Sequence, residues 1–222
     1  MTLSQLRTLV LSWLDDPNAQ YFTTAQVNVW LNNAQREVQK QLIQAGENFY
    51  VTRVSTTTVQ NYDTYALPTD FMRLHKLELL TEGTTTPPTY NQVRQQITPV
   101  TLVQLDKVSM STGKPTVHAI RKNCLILRPI PDNAYTIYMD YSPEVVDMSS
   151  DSSTPDVPLR YQEYIAVLAA FDGLLKDNRD PSTLLAKKQF YLDLMKQDSQ
   201  NRNVDESRSV VATELYESGY LF

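Results

Sequence analysis

The spacing of apolar residues changes twice along this chain, and each change marks a change of backbone. Leu3, Leu6, Val10, Trp13 and Leu14 recur at steps of three and four, which places them on one face of a helix. Thr2 and Gln5 form a capping box, so this helix starts beside the N-terminus. It ends in Asp15-Asp16-Pro17-Asn18, because Pro17 disfavours helix at the residue before it. The same spacing predicts a longer helix from about Thr24 to Ala45, with Val27, Leu31, Ala34, Val38 and Leu42 as its stripe. Thr23 or Thr24 caps its start, and Gly46 suits the left-handed position past its end. Asn32, Gln35, Gln39 and Lys40 lie off the stripe, where water or a polar neighbour would meet them.

From Phe49 to Gln60 the helical period is gone, and Val, Thr and Tyr predict strand. Asn61-Tyr62-Asp63 is a turn, and Tyr65-Ala66-Leu67 leads into a corner at Pro68-Thr69-Asp70-Phe71. Leu74, Leu77 and Leu79 predict another strand, followed by a polar loop from Thr81 to Pro88. Pro99 is placed to start a short helix that turns Leu102 and Leu105 inward. Val117 to Ile120 and Cys124 to Leu127 flank Lys122-Asn123 as a β-hairpin. Tyr135, Ile137 and Met139 alternate with Thr136, Tyr138 and Asp140 in one more strand. Pro143 to Pro158 is acidic and rich in serine and proline, and reads as a linker or exposed loop.

Helical spacing then returns. Tyr161, Tyr164, Ile165, Leu168 and Leu175 share a face. Asp180-Pro181 starts the last helix, with Asp as cap and Pro at the first helical position, and Leu184, Tyr191, Leu192 and Met195 give its stripe. The signal stops after about Ser199. No single helix here has enough apolar face to stand alone, so packing the four together buries all the stripes. The chain therefore reads as α+β: N- and C-terminal helices packed as a bundle, a β-rich domain inserted between them, and an extended C-terminal arm. The boundaries are 1–48 with 159–200, 49–158, and 201–222.

Function classes fall away on composition. The 222 residues carry a formal charge of -5, which argues against a general basic nucleic-acid binder but leaves a local basic patch open. The single cysteine, Cys124, forms no intrachain disulfide. Glycine is scarce at 5 residues, too few for phosphate-cradling loops. No apolar run reaches the roughly 20 residues that cross a bilayer, and the N-terminus does not read as a signal peptide, so no membrane role is expected.

The chemistry-bearing residues are few. His75, His118 and Cys124 match no zinc spacing, though His118 and Cys124 could face each other across the hairpin. There is no Gly-x-Ser-x-Gly elbow, and Cys124 lies in a strand-like run. Asp147, Asp151 and Asp156 could meet a hard cation, but lack the spacing and glycine of an EF-hand. No enzyme, cofactor or metal is expected. Arg53, Arg73 and Lys76, with His75, could contact phosphate or simply be outward residues of a half-buried sheet. The C-terminus is apolar for a free tail: Leu215, Tyr216, Tyr220, Leu221 and Phe222 would each stabilise by about 1.5–3 kcal/mol if buried, before ordering costs. They could fold back on the chain or dock on another.

Four segments in order carry a family resemblance: Leu31-Asn32-Asn33-Ala34-Gln35-Arg36-Glu37, Leu67-Pro68-Thr69-Asp70-Phe71-Met72-Arg73-Leu74, Leu127-Arg128-Pro129-Ile130-Pro131-Asp132 with the strand through Asp140-Tyr141, and Pro158-Leu159-Arg160-Tyr161-Gln162-Glu163-Tyr164 leading into Ala169-Ala170. Together they resemble the head-to-tail adaptor (connector, or head completion) proteins of short-tailed bacteriophages, from about residue 2 to 198. The resemblance implies a structural virion protein made in the host cytoplasm. It implies a homo-oligomeric ring, commonly a dodecamer, in the neck between the portal protein and the tail nozzle or other tail proteins. DNA would pass through that ring without sequence-specific binding. It also implies a use for the apolar terminus, as an arm that docks on the portal. The alternative reading is a cytosolic regulatory or nucleic-acid-binding module using Arg53, Arg73 and Lys76.

Overall fold

The computed structural model describes residues 1–45, 48–80 and 94–202, the last four by backbone alone. Gly46, the Thr81–Pro88 loop and the terminal Leu215, Tyr216, Tyr220, Leu221 and Phe222 lie outside the described residues.

The protein is α+β. Helices α1 (Leu3–Trp13) and α2 (Thr24–Gln44) come first. Strands β1 (Thr52–Thr57), β2 (Thr64–Ala66), β3 (Phe71–Leu80), β4 (Arg94–Gln96) and β5 (Thr98–Pro99) follow. After a short helix α3 (Leu102–Leu105) come β6 (Thr112–Gly113), β7 (Val117–Arg121), β8 (Cys124–Arg128), β9 (Ile130–Pro131) and β10 (Thr136–Pro143). Helices α4 (Gln162–Lys176) and α5 (Ser182–Arg202) complete the order. The chain divides into two compact units, Met1–Glu47 with Asp147–Phe222, and Asn48–Val146.

In the helical unit, α4 packs against α1, α2 and α5. Its central place explains its composition: Tyr164, Ile165, Ala166, Val167, Ala169 and Ala170 are all fully buried, so it is apolar all round rather than on one stripe. Leu175, expected on the buried face, is 51% exposed at its C-terminal end. The first helix carries the expected capping box, Thr2 with Gln5; of the two threonines open as cap of α2 it is Thr23, and Gln26 completes a box there as well. The Asp180 carboxylate accepts the Ser182 N–H at 2.9 Å and starts α5. Asp16 accepts N–H groups from Gln20, Tyr21 and Phe22 at 2.7–2.9 Å, which turns the chain between α1 and α2.

For the polar residues of α2, open to water or to a polar neighbour, the structure decides residue by residue. Gln35 and Gln39 are 0% and 1% exposed, so they meet protein rather than water. Asn32 bonds the Met148 backbone twice, donating to its carbonyl at 3.2 Å and accepting its N–H at 2.9 Å. The partner is the segment that reads as a linker in the sequence. Residues 147–158 instead form a strap along the helices, with Met148 and Val157 buried. Ser153 and Asp151 carbonyls accept the Leu3 and Ser4 N–H groups at 2.8 and 3.2 Å, satisfying donors that a helix start leaves open.

The β unit pairs a sheet in the order β1-β10-β3-β4 with a second in the order β2-β8-β7-β5. Leu77 and Leu79 of the first meet Leu125 and Leu127 of the second in one core, with Ile97, Ile137, Met139 and Tyr141. Ile126 points the other way, into a smaller core with Leu105 of α3. The hairpin at Lys122-Asn123 is present, and Lys122 takes the positive φ of 54° that its tight turn requires. Thr101, not Pro99, caps α3, with Gln104 completing the box; Pro99 lies in β5 instead. At the predicted corner, the Asp70 carboxylate accepts the Tyr141 hydroxyl at 3.1 Å and its carbonyl accepts the Glu144 N–H at 2.7 Å.

Candidate interaction surface

The outer face of the first sheet gathers five charged residues, Arg53, Lys76, Glu78, Arg94 and Asp140, into one network. Strands alternate their side chains, so while Ile137, Met139 and Tyr141 of β10 face the core, Tyr138 and Asp140 face out. Register brings Arg53 of β1 opposite Asp140 on one side and Lys76 of β3 opposite it on the other. Arg53 grips Asp140 with two bonds of 2.6 Å and reaches Glu78 at 3.4 Å. Glu78 also takes Lys76 at 2.5 Å and Arg94 of β4 at 3.8 Å. The Tyr138 ring lies under Arg94 and Arg53 at 4.7 and 5.9 Å. The bidentate bond from Arg53 holds the Asp140 carboxyl below its ordinary range and raises the Arg53 guanidinium in turn.

Two of the three sequence-predicted phosphate contacts, Arg53 and Lys76, therefore come together, but on a pair of carboxylates. Arg73 sits further along β3, opposite Ser142. His75 is the extra residue of a bulge between the Lys76 and Leu74 pairings, and its ring bonds the Ser142 hydroxyl at 2.7 Å. Burial, with Arg73 nearby, pushes the His75 ring below its ordinary pKa. Sequence reasoning missed Glu78, Tyr138, Asp140 and Arg94. The signal was present as Tyr138 and Asp140 at the outward positions of an alternating strand, but their partners arrive from strands distant in sequence.

The other candidates separate. His118 pairs with Leu127 and Cys124 with Arg121, so His118 and Cys124 do not face each other. His118 is buried with Nδ1 3.1 Å from the Ile97 carbonyl. Asp147 is gripped by Arg36 at 2.5–2.6 Å and Asp151 by Arg7 at 2.7 Å, each tying the strap to a helix. Among the described residues, no three His, Cys, Asp or Glu side chains gather as metal ligands. None of the described helices is long and apolar enough to cross a membrane.

The ion pairs described tie one segment to another within each unit, and the fold class is α+β. The family model of the SU10 adaptor protein matches residues 1–213, and the chain belongs to that family. It is a structural adaptor of bacteriophage. Comparison with curated proteins finds no match.

Proposed function

We propose that this protein forms an adaptor ring that joins the portal of the phage head to the tail and forms part of the DNA channel. The observation that carries this reading is the adaptor-family match across residues 1–213. The ring is a dodecamer in the virion neck, assembled from subunits made in the host cytoplasm. The helical bundle, residues 1–47 and 147 onward, is interrupted by the β-rich insertion, 48–146, and ends in the arm that follows Arg202. The test is electron microscopy or native mass spectrometry of this protein mixed with its portal. Rings seated on portal are expected; a monomer that never associates with portal overturns the proposal.

The arm docks on the portal through Leu215, Tyr216, Tyr220, Leu221 and Phe222. Truncation at Asn201 should abolish ring attachment. Unchanged attachment removes the arm from the proposal and leaves the ring intact. Twelve copies carry a formal charge of about -60, and an acidic lumen would let DNA slide without sticking.

A second reading, a regulatory or nucleic-acid-binding module, is favoured by one feature: Arg53, Lys76 and Arg94 outnumber Glu78 and Asp140 on the outer sheet face. Titration against DNA at several salt concentrations separates the two. Tight binding with a steep salt slope supports the module, and weak binding supports the ring.

A further inference from the structure

Strand β1 is an edge. It pairs with β10 on one side, and among the described residues no strand lies on its other side. Its register with β10 is regular over all six residues, with no bulge. β3, by contrast, is irregular twice against the same strand. Edge strands present unpaired N–H and C=O groups, and proteins guard them with lysine, proline, bulges or short length. β1 has none of these guards. Its sequence is Thr-Arg-Val-Ser-Thr-Thr, every position but Val54 is exposed, and its one charge, Arg53, is held by Asp140 at 2.6 Å. A regular, largely β-branched edge of six residues, its one charge already paired, is a template for an added strand.

The same chain contains a matching donor. Val210-Val211-Ala212-Thr213-Glu214-Leu215 is six residues long, rich in β-branched residues, and free of proline and glycine. It follows the last described helix by seven residues, within a 20-residue stretch beyond Arg202. A closed ring of identical subunits needs two different, complementary faces on each subunit. An acceptor edge and a donor strand on one chain make such a pair.

We propose that residues 210–215 of one subunit add as a strand to the β1 edge of a second copy of this chain. This rests on the ring reading above. It moves Leu215 from the portal-docking set to the contact between subunits and leaves Tyr216, Tyr220, Leu221 and Phe222 beyond the added strand to reach the portal. Alternation would place Val211, Thr213 and Leu215 on one face of the extended sheet and Val210, Ala212 and Glu214 on the other.

The test uses the full chain without portal, so its result is independent of portal binding. In a Cys124→Ser background, Ser55→Cys is placed on one tagged copy. A cysteine at each of positions 210 to 215 in turn is placed on a second copy of different size. Oxidation of the mixture should join the two copies at one or two neighbouring positions. Thr213→Pro, which removes a ladder donor outside the described fold, should abolish that bond. It should also return the β1 amides from slowed to unslowed hydrogen exchange in the associated protein. A chain that carries both cysteines and closes the disulfide only within itself shows the donor to be the subunit's own tail and overturns the proposal. So does the absence of any disulfide, or β1 exchange that association and Thr213→Pro both leave unchanged. In each of these cases rings on portal, if seen, still support the adaptor reading.

Discussion

Gly173 sits in the interior of α4, where alanine would ordinarily add about 1 kcal/mol of helix stability. Here a Cβ would lie 2.8 and 2.9 Å from the two methyl groups of Leu14 and 3.2 Å from Trp30. Leu14 is itself buried, so its methyls have little room to retreat. Overpacking costs about 1–3 kcal/mol and outweighs the propensity gain. Gly173→Ala should therefore lower stability by about 1 kcal/mol in urea unfolding; a gain would show that Leu14 can repack. Asp16 gives a pH signature. Its bonds from the Phe22, Gln20 and Tyr21 N–H groups hold its pKa below the usual 3.8, the Phe22 bond most. A depressed carboxylate pKa contributes stability that is complete above the unfolded value and is lost as pH falls through the folded one. Asp16→Asn should be less stable than the parent at neutral pH, with the gap closing by about pH 3. Urea midpoints at both pH values check this, and a constant gap would refute it.

At the scale of elements, the strap of residues 147–158 holds α1 and α2 by two kinds of contact. Asn32 makes two partly buried bonds to backbone, and losing them leaves the Met148 N–H and C=O unsatisfied, at a cost of about 1–3 kcal/mol. Arg36 to Asp147 is an exposed ion pair, worth about 0–1 kcal/mol. Asn32→Ala should thus destabilise the protein more than Arg36→Ala, and raised salt should weaken only the contribution of Arg36. Chemical unfolding of the two variants at low and high salt tests the ranking. The strap also shows where sequence reading stops. The capping box at Thr2 was legible because both partners lie within one turn. The strap was not, because its partners Asn32 and Met148 are 116 residues apart and serine-rich, proline-rich segments look alike whether packed or free. For the same reason water and a polar neighbour both stayed open for Gln35 and Gln39. The outer sheet face was half legible: alternation showed that Asp140 and Arg53 point out, but not that they point at each other.

Across the whole molecule, the chain divides into two compact units, and the main β-unit core offers a target for testing whether they unfold separately. Leu127 is fully buried there, between the two sheets. Leu127→Ala should cost about 2–5 kcal/mol. Hydrogen exchange should quicken in β7, β8 and β10 while the α4 amides keep their protection. Equal loss in α4 would mean that the two units unfold as one. The order of elements, helices around a β-rich middle, was determined by the sequence alone, because periods of 3.6 and 2 are local properties of the backbone. So were the capping box at Thr2 and the corner at Pro68–Phe71. Only the tertiary structure decided that α4 is the central helix, that residues 147–158 form a strap, and that Arg53 and Lys76 converge on Asp140 and Glu78. Those facts depend on pairings between residues far apart in the chain, which chain spacing does not encode and which packing and sheet register settle.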